Sequence, residues 1–175
     1  MYKLVLVLLF AVFANAASLD LVEGKIQAHT EIFGDSEINP QTRKIETILK
    51  KDSSIESISG KFEINAISLV SDNEDRDQHM YEVLNVAKSP KISFVISRIT
   101  KVDDKYKIDG LLTMNKINKK ISSLASITQN AQDLTMNGDF SIKLTDFGLE
   151  PPSMFFITVR DQIDIKYSFD LKEEL

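Results

Sequence analysis

The sequence predicts an all-β fold: an antiparallel meander of eight strands with one helical interruption. Three observations lead there. Residues 161–171 read DQIDIKYSFDL, with Ile163, Ile165, Tyr167, Phe169 and Leu171 apolar and polar residues between them. Side chains alternate faces along a strand, so this segment has one dry face and one wet face. The same period recurs along most of the chain. The connections are short, and no repeat, proline-rich linker or low-complexity stretch divides the chain, which points to one domain. An open sheet of eight such strands would leave two long unpaired edges. Closing into a barrel removes them. A two-sheet sandwich buries the same residues, and the pattern alone does not separate the two.

The elements follow in order. The first strand covers about 22–32, with Ile26, Ala28, Thr30 and Ile32 on one face. Gly34-Asp35-Ser36 and Asn39-Pro40 are turn signals after it. The second strand is about 43–51 and the third about 59–70. In the third the apolar phase slips from Phe62, Ile64 and Ala66 to Ile67 and Leu69, which predicts a bulge or bend. Ser71-Asp72-Asn73-Glu74 matches a capping box. Met80, Val83, Leu84 and Ala87 then follow at helical spacing, so a helix over about 72–85 is expected between strands three and four. Ser89-Pro90 ends it. Strands four (about 91–101) and five (about 105–114) form a hairpin around Asp103-Asp104. The sixth is about 119–128 and the seventh about 133–145. A loop with Gly148 and Pro151-Pro152 leads to the eighth, about 157–171.

Residues 1–16 read as a secretory signal peptide: Lys3, an apolar run from Leu4 to Phe13, then Ala14-Asn15-Ala16. The run is too short to cross ~30 Å of hydrocarbon as a helix, so no stable membrane insertion is expected. Residues 17–175 form the single domain. The chain has no cysteine, so neither acylation nor a disulfide is available. A formal charge of −5 without a basic patch argues against nucleic acid.

The dry faces collect Phe62, Ile64, Phe94, Ile96, Ile108, Leu112, Met114, Met136, Phe140, Ile142, Ile163, Ile165, Tyr167 and Phe169, none of them charged. Eight-stranded barrels sit where side chains either just fill the interior or leave room for one small ligand. Strands of about ten residues at ~3.4 Å each make a long barrel. Ala28, Gly110, Ser123, Ala125 and Gly138 interleave small side chains among adaptable Met and Phe, which suits an apolar tunnel. A packed core fits the same pattern.

Little points to chemistry. His29 and His79 lack metal-ligand spacing. Asp75 and His79 are four apart on the expected helix, a spacing that would suit a metal or acid–base pair; a solvated face with Arg76 and the carboxylates pairing locally is the stronger reading. There is no glycine-rich phosphate loop and no Gly-x-Ser-x-Gly elbow. No catalytic residue and no metal are expected.

Several segments in order resemble a known family. Asn73-Glu74-Asp75-Arg76-Asp77-Gln78-His79-Met80 resembles the N-x-x-R-D-x-H-L segment of the YceI-like periplasmic proteins. Pro90-Lys91-Ile92-Ser93-Phe94 resembles their P-x-I-x-F strand start, Leu112-Thr113-Met114 their L-T-I strand, and Asp146-Phe147-Gly148-Leu149 their D-F-G-I loop. There are departures: Lys116-Ile117-Asn118-Lys119-Lys120 lacks the usual G-V-T-K-P, the Arg ahead of D-F-G is replaced, and Lys25 to His29 replaces the H-S-x-V-x-F start. The resemblance implies a lipocalin-like eight-stranded barrel, export to the periplasm and association as dimers in many members. It also implies a non-catalytic carrier of a long apolar chain: a polyisoprenoid, a polyprenyl quinone or a fatty-acid derivative. No cofactor beyond such a bound lipid is expected. Arg76, Asp77, His79 and Asp146 would meet the head group, and Phe147, Phe155 and Phe156 would flank the opening. The alternative is a ligand-free interaction or stress-related module with a packed core.

Overall fold

The computed structural model describes residues 16–32, 35–154 and 157–174. Eight long strands run in chain order: β1 (Ala17–Ile32), β2 (Ile45–Lys51), β3 (Ser59–Asn65), β4 (Lys91–Val102), β5 (Lys105–Met114), β6 (Ile117–Asn130), β7 (Asp133–Lys143) and β8 (Gln162–Glu174). Helix α1 (Glu74–Val83) lies between β3 and β4. Each strand pairs antiparallel with the next. The circuit closes where β8 returns to β1, from Ser18 opposite Glu174 to His29 opposite Asp164. The fold is therefore a closed lipocalin-like barrel and not a sandwich.

Turn chemistry sets the hairpins. Asp103, Asn115, Lys116 and Ala131 have φ of 55°, 48°, 62° and 52°. Asn115 and Lys116 together form the two-residue left-handed turn that matches strand twist. They let β6 begin at Ile117, earlier than its thin apolar face suggests.

The weakest seam is between β1 and β2. They pair only from Ala17 opposite Lys51 to Leu19 opposite Leu49. Further up, β1 pairs with the short strand Gln41–Thr42. On its other side β1 is clasped near Asp164. Ser141 donates to that carboxylate at 2.6 Å, Gln162 at 2.7 Å, and Arg160 pairs with it. Ser141 first, then Gln162 and Arg160, hold the Asp164 carboxyl down to about 2.

Four expectations differ from the structure. Strand β3 ends at Asn65, and a 3-10 turn over Ala66–Ser68 follows, so the phase slip is a strand end and not a bulge. The register shifts lie elsewhere. One falls between Ile96 and Arg98, so that Ile96 and Ile99 both point inward. A second falls between Leu21 and Glu23, which turns Val22 outward, and a third between Thr30 and Ile32, where β1 pairs with the short strand Asp35–Ile38. The helix cap is Asn73, whose side chain accepts from the Arg76 amide at 2.9 Å. Asn serves this position as well as Ser does. Finally, β8 starts at Gln162, because Ile157–Thr158 instead pairs with Ser153–Met154 in a separate two-stranded ribbon.

The lower barrel is filled. Leu19, Leu49, Ile99, Tyr106, Ile127, Leu134 and Leu171 are buried there, and Ile55 and Ile58 close the end. At its rim Lys51 Nζ donates to Glu173 Oε2 at 2.9 Å, with the lysine side chain only 5% exposed. Removing one member of a buried pair strands the other charge, at a cost of about 3–5 kcal/mol. Glu173→Gln is expected to destabilise toward this range in urea unfolding. The apolar double replacement Lys51→Met with Glu173→Leu should recover most of the loss. A double variant no more stable than Glu173→Gln would refute this account.

Candidate functional site

Above the filled half, between the barrel walls and α1, lies a cavity of about 750 Å³. Aliphatic side chains from several strands form its wall: Ile26 and Ala28 of β1, Ile64 of β3, Ile92 of β4, Leu112 and Met114 of β5, Ile142 of β7, and Ile163 and Ile165 of β8. Leu69 and the helix residues Met80, Val83 and Leu84 line it as well. The volume is that of a ligand pocket, and the lining is predominantly apolar, as such pockets are.

The predicted lumen residues divide in two. Phe62, Ile64, Phe94, Leu112, Met114, Ile142, Ile163 and Ile165 line the cavity. Ile96, Ile108, Met136 and Phe169 are buried in the lower core instead. Phe140 and Tyr167 sit at the boundary and are not in the lining. No tunnel runs the length of the barrel, because a belt of aromatic rings crosses it. Phe62 stacks on Phe169 with centroids 4.5 Å apart, and Phe169 on Tyr167 at 5.2 Å. Tyr167 meets Phe140 at 6.4 Å, and Phe140 meets Phe94 at 6.5 Å. Phe94 is the cross-strand partner of Phe62, which completes the circuit.

The small residues serve this belt. A Cβ on Gly110 would lie 2.2 Å from Cζ of Phe94, and one on Gly138 would lie 2.3 Å from the Tyr167 hydroxyl. The expected space for a ligand at these positions is filled by neighbouring rings. Ser123 Oγ donates to the Asp139 carbonyl at 2.8 Å, so it accepts from the Tyr167 hydroxyl, also at 2.8 Å. Burial pushes the Tyr167 phenol up to about 12.

At the mouth, Arg76, Asp77 and His79 line the cavity. Asp77 is buried, and both its oxygens accept from Ser71: the amide at 2.9 and 3.0 Å and the hydroxyl at 2.7 Å. This carboxylate anchors the segment leading into α1. Arg76 lies 3.9 Å from Asp72. His29, which periodicity did not single out, also lines the cavity, with Nδ1 2.7 Å from Asn39 Oδ1. Leu69, read from its spacing as part of the third strand, lines it from the end of the 3-10 turn instead.

The D-F-G loop takes a different role from the one expected. Asp146 is exposed, 3.7 Å from Lys119, and is not in the cavity lining. Phe147 is fully buried among Leu112, Met114, Ile142, Leu144 and Leu149, so it is a core plug and not a flank of the opening. Its carbonyl accepts from Asn115 Nδ2 at 3.0 Å, and Asn85 Nδ2 donates to Asn115 Oδ1 at 2.9 Å. Helix end, β5–β6 turn and D-F-G loop are thereby tied together. Phe155 and Phe156 lie outside the described residues. Among the described residues no cluster of three His or acidic side chains could hold a metal. No described helix is long and apolar enough to cross a membrane.

A closed barrel with a helix beside an apolar cavity is compatible with several families; the sequence match decides among them. A model described as the YceI-like domain matches residues 18–171. The chain belongs to the YceI-like family. It is 32% identical over 94 residues to a UPF0312 protein of Pectobacterium atrosepticum, and 31% identical over 94 residues to Protein YceI of Salmonella arizonae. Each match covers 49% of this chain and 49% of the relative, so the YceI-like chain spans about half the length of the curated relatives it matches. Among solved structures, BcnA of Burkholderia cenocepacia has a TM-score of 0.74 at 19% identity, covering 84% of this chain and 95% of that one. The Campylobacter jejuni YCEI protein has a TM-score of 0.62 at 16% identity over 100% and 92%. A polyisoprenoid binding domain from Saccharophagus degradans, implicated in plant cell wall breakdown, has a TM-score of 0.63 at 10% identity over 91% and 99%. At these identities the structural likeness establishes the YceI-like fold alone.

The buried phenol generates a pH prediction. The folded state favours neutral Tyr167, whereas the unfolded chain ionises it from about 10 upward. Its contribution is thus present below about 10 and lost as pH rises toward 12. Tyr167→Phe should be about 1 kcal/mol less stable at neutral pH, for the lost hydrogen bond. That deficit should shrink across the alkaline window in denaturant titrations; a deficit that stays constant throughout would contradict it.

Proposed function

We propose that this protein is an exported, non-catalytic carrier that holds one long apolar chain in the upper cavity. The observation that carries this reading is the cavity itself: about 750 Å³ lined by aliphatic side chains of the barrel and its helix. The described polyisoprenoid binding of the Saccharophagus degradans domain supports a polyisoprenoid as the ligand class. A polyprenyl quinone or a fatty-acid derivative has the same chemistry along its tail. Residues 1–16 act as the signal peptide and direct the protein to the periplasm.

The mechanism is hydrophobic transfer. The tail enters first beneath α1, and each buried CH₂ contributes about 0.8 kcal/mol. In this reading the polar end stays at the mouth and meets Arg76 and His79, both of which line the cavity. Asp77 supports them indirectly, because its bonds to Ser71 hold the start of the helix.

Organic extraction of the purified protein followed by mass spectrometry tests this reading. A prenyl or acyl lipid in near-stoichiometric amount is expected. No co-purifying lipid, together with no uptake of an added polyprenyl alcohol, would overturn the proposal. Met80→Asp places a carboxylate in the apolar lining, which is costly without a partner. It should weaken uptake by about tenfold or more while the barrel still unfolds cooperatively; unchanged uptake would remove α1 from the entry route.

A further inference from the structure

We infer that the aromatic belt is a chain-length ruler, with Phe94 and Phe62 as the residues that set the longest tail the protein can bury. The inference rests on the carrier reading and adds a specificity that this reading does not contain. Both rings line the cavity, and both also pack against the lower core. They are its floor.

The floor is a wall and not a gate. Phe94 lies over Gly110, and Tyr167 over Gly138, each at a separation that leaves no room for even a Cβ. The Tyr167 hydroxyl is tied through Ser123 to the β7 backbone. Ile96, Ile108 and Met136 are buried beneath, so a tail that passed the belt would meet packed core side chains.

Capacity then follows from volume. An apolar cavity of about 150 Å³ holds one benzene ring. At that loose density a cavity of about 750 Å³ takes about 30 carbons, or roughly six isoprene units. Units beyond that lie outside the mouth in water and add no affinity.

The test is a binding series of all-trans prenyl alcohols: farnesol, geranylgeraniol, hexaprenol and decaprenol. It uses the full mature domain, its Phe94→Ala variant and its Ile165→Phe variant. In the parent, affinity should climb by up to about fourfold per buried methylene and level off near hexaprenol. Phe94→Ala opens the floor toward Gly110 and should move the plateau to longer alcohols. Ile165→Phe fills space above the belt and should move it to shorter ones; because it leaves the belt intact, it keeps the test valid if Phe94→Ala folds poorly. Affinity that keeps rising through decaprenol in the parent, or a plateau that neither variant moves, overturns the ruler and leaves the carrier reading standing. No binding of any alcohol overturns the carrier reading, and the ruler with it.

Discussion

The return of β8 to β1 is the pairing on which everything else depends. It runs from Ser18–Glu174 to His29–Asp164 and turns an open meander into a closed barrel. Closure compensates for the short β1–β2 seam, where hydrogen bonding covers only the first residues of β1. It also creates an inside. Once the sheet is closed, every second residue of eight strands must share one lumen, and how that lumen is divided becomes the question that decides function.

The division is made by five aromatic rings and the small residues beneath them. An eight-stranded barrel is just narrow enough for its own side chains to fill. Below the belt they do so, with Leu134, Met136 and Leu171 almost fully buried. Above it they do not, because the wall there is aliphatic and the top is spanned by a helix instead of further strands. Gly110 and Gly138 are what allow Phe94 and Tyr167 to lie flat enough to close the cross-section. The YceI-like barrel is therefore half a packed core and half a pocket.

Polar residues near the pocket are largely engaged in holding it together. Asp77 binds Ser71, Asp161 accepts from both the amide and the hydroxyl of Thr145, and Asn115 joins Asn85 to the Phe147 carbonyl. These contacts fix the helix and the D-F-G loop against the barrel end. Of these residues Ser71, Asp77 and Phe147 stand in motifs of the sequence, yet their observed contacts are structural.

Strand content, antiparallel order, the helix between β3 and β4 and the inward-facing residues are determined by the sequence itself, because alternation, turn residues and caps act over a few neighbours. Ile163, Ile165, Tyr167 and Phe169 are inward on periodicity alone. That Ile163 and Ile165 face a cavity while Tyr167 and Phe169 face packed rings is not written in their spacing. Nor is the burial of Phe147, the exposure of Ile67, or the place of Leu69 in the pocket. Only the tertiary structure decided these. A ring's room depends on which glycine lies across the sheet, and a pocket depends on volume left over after distant segments meet.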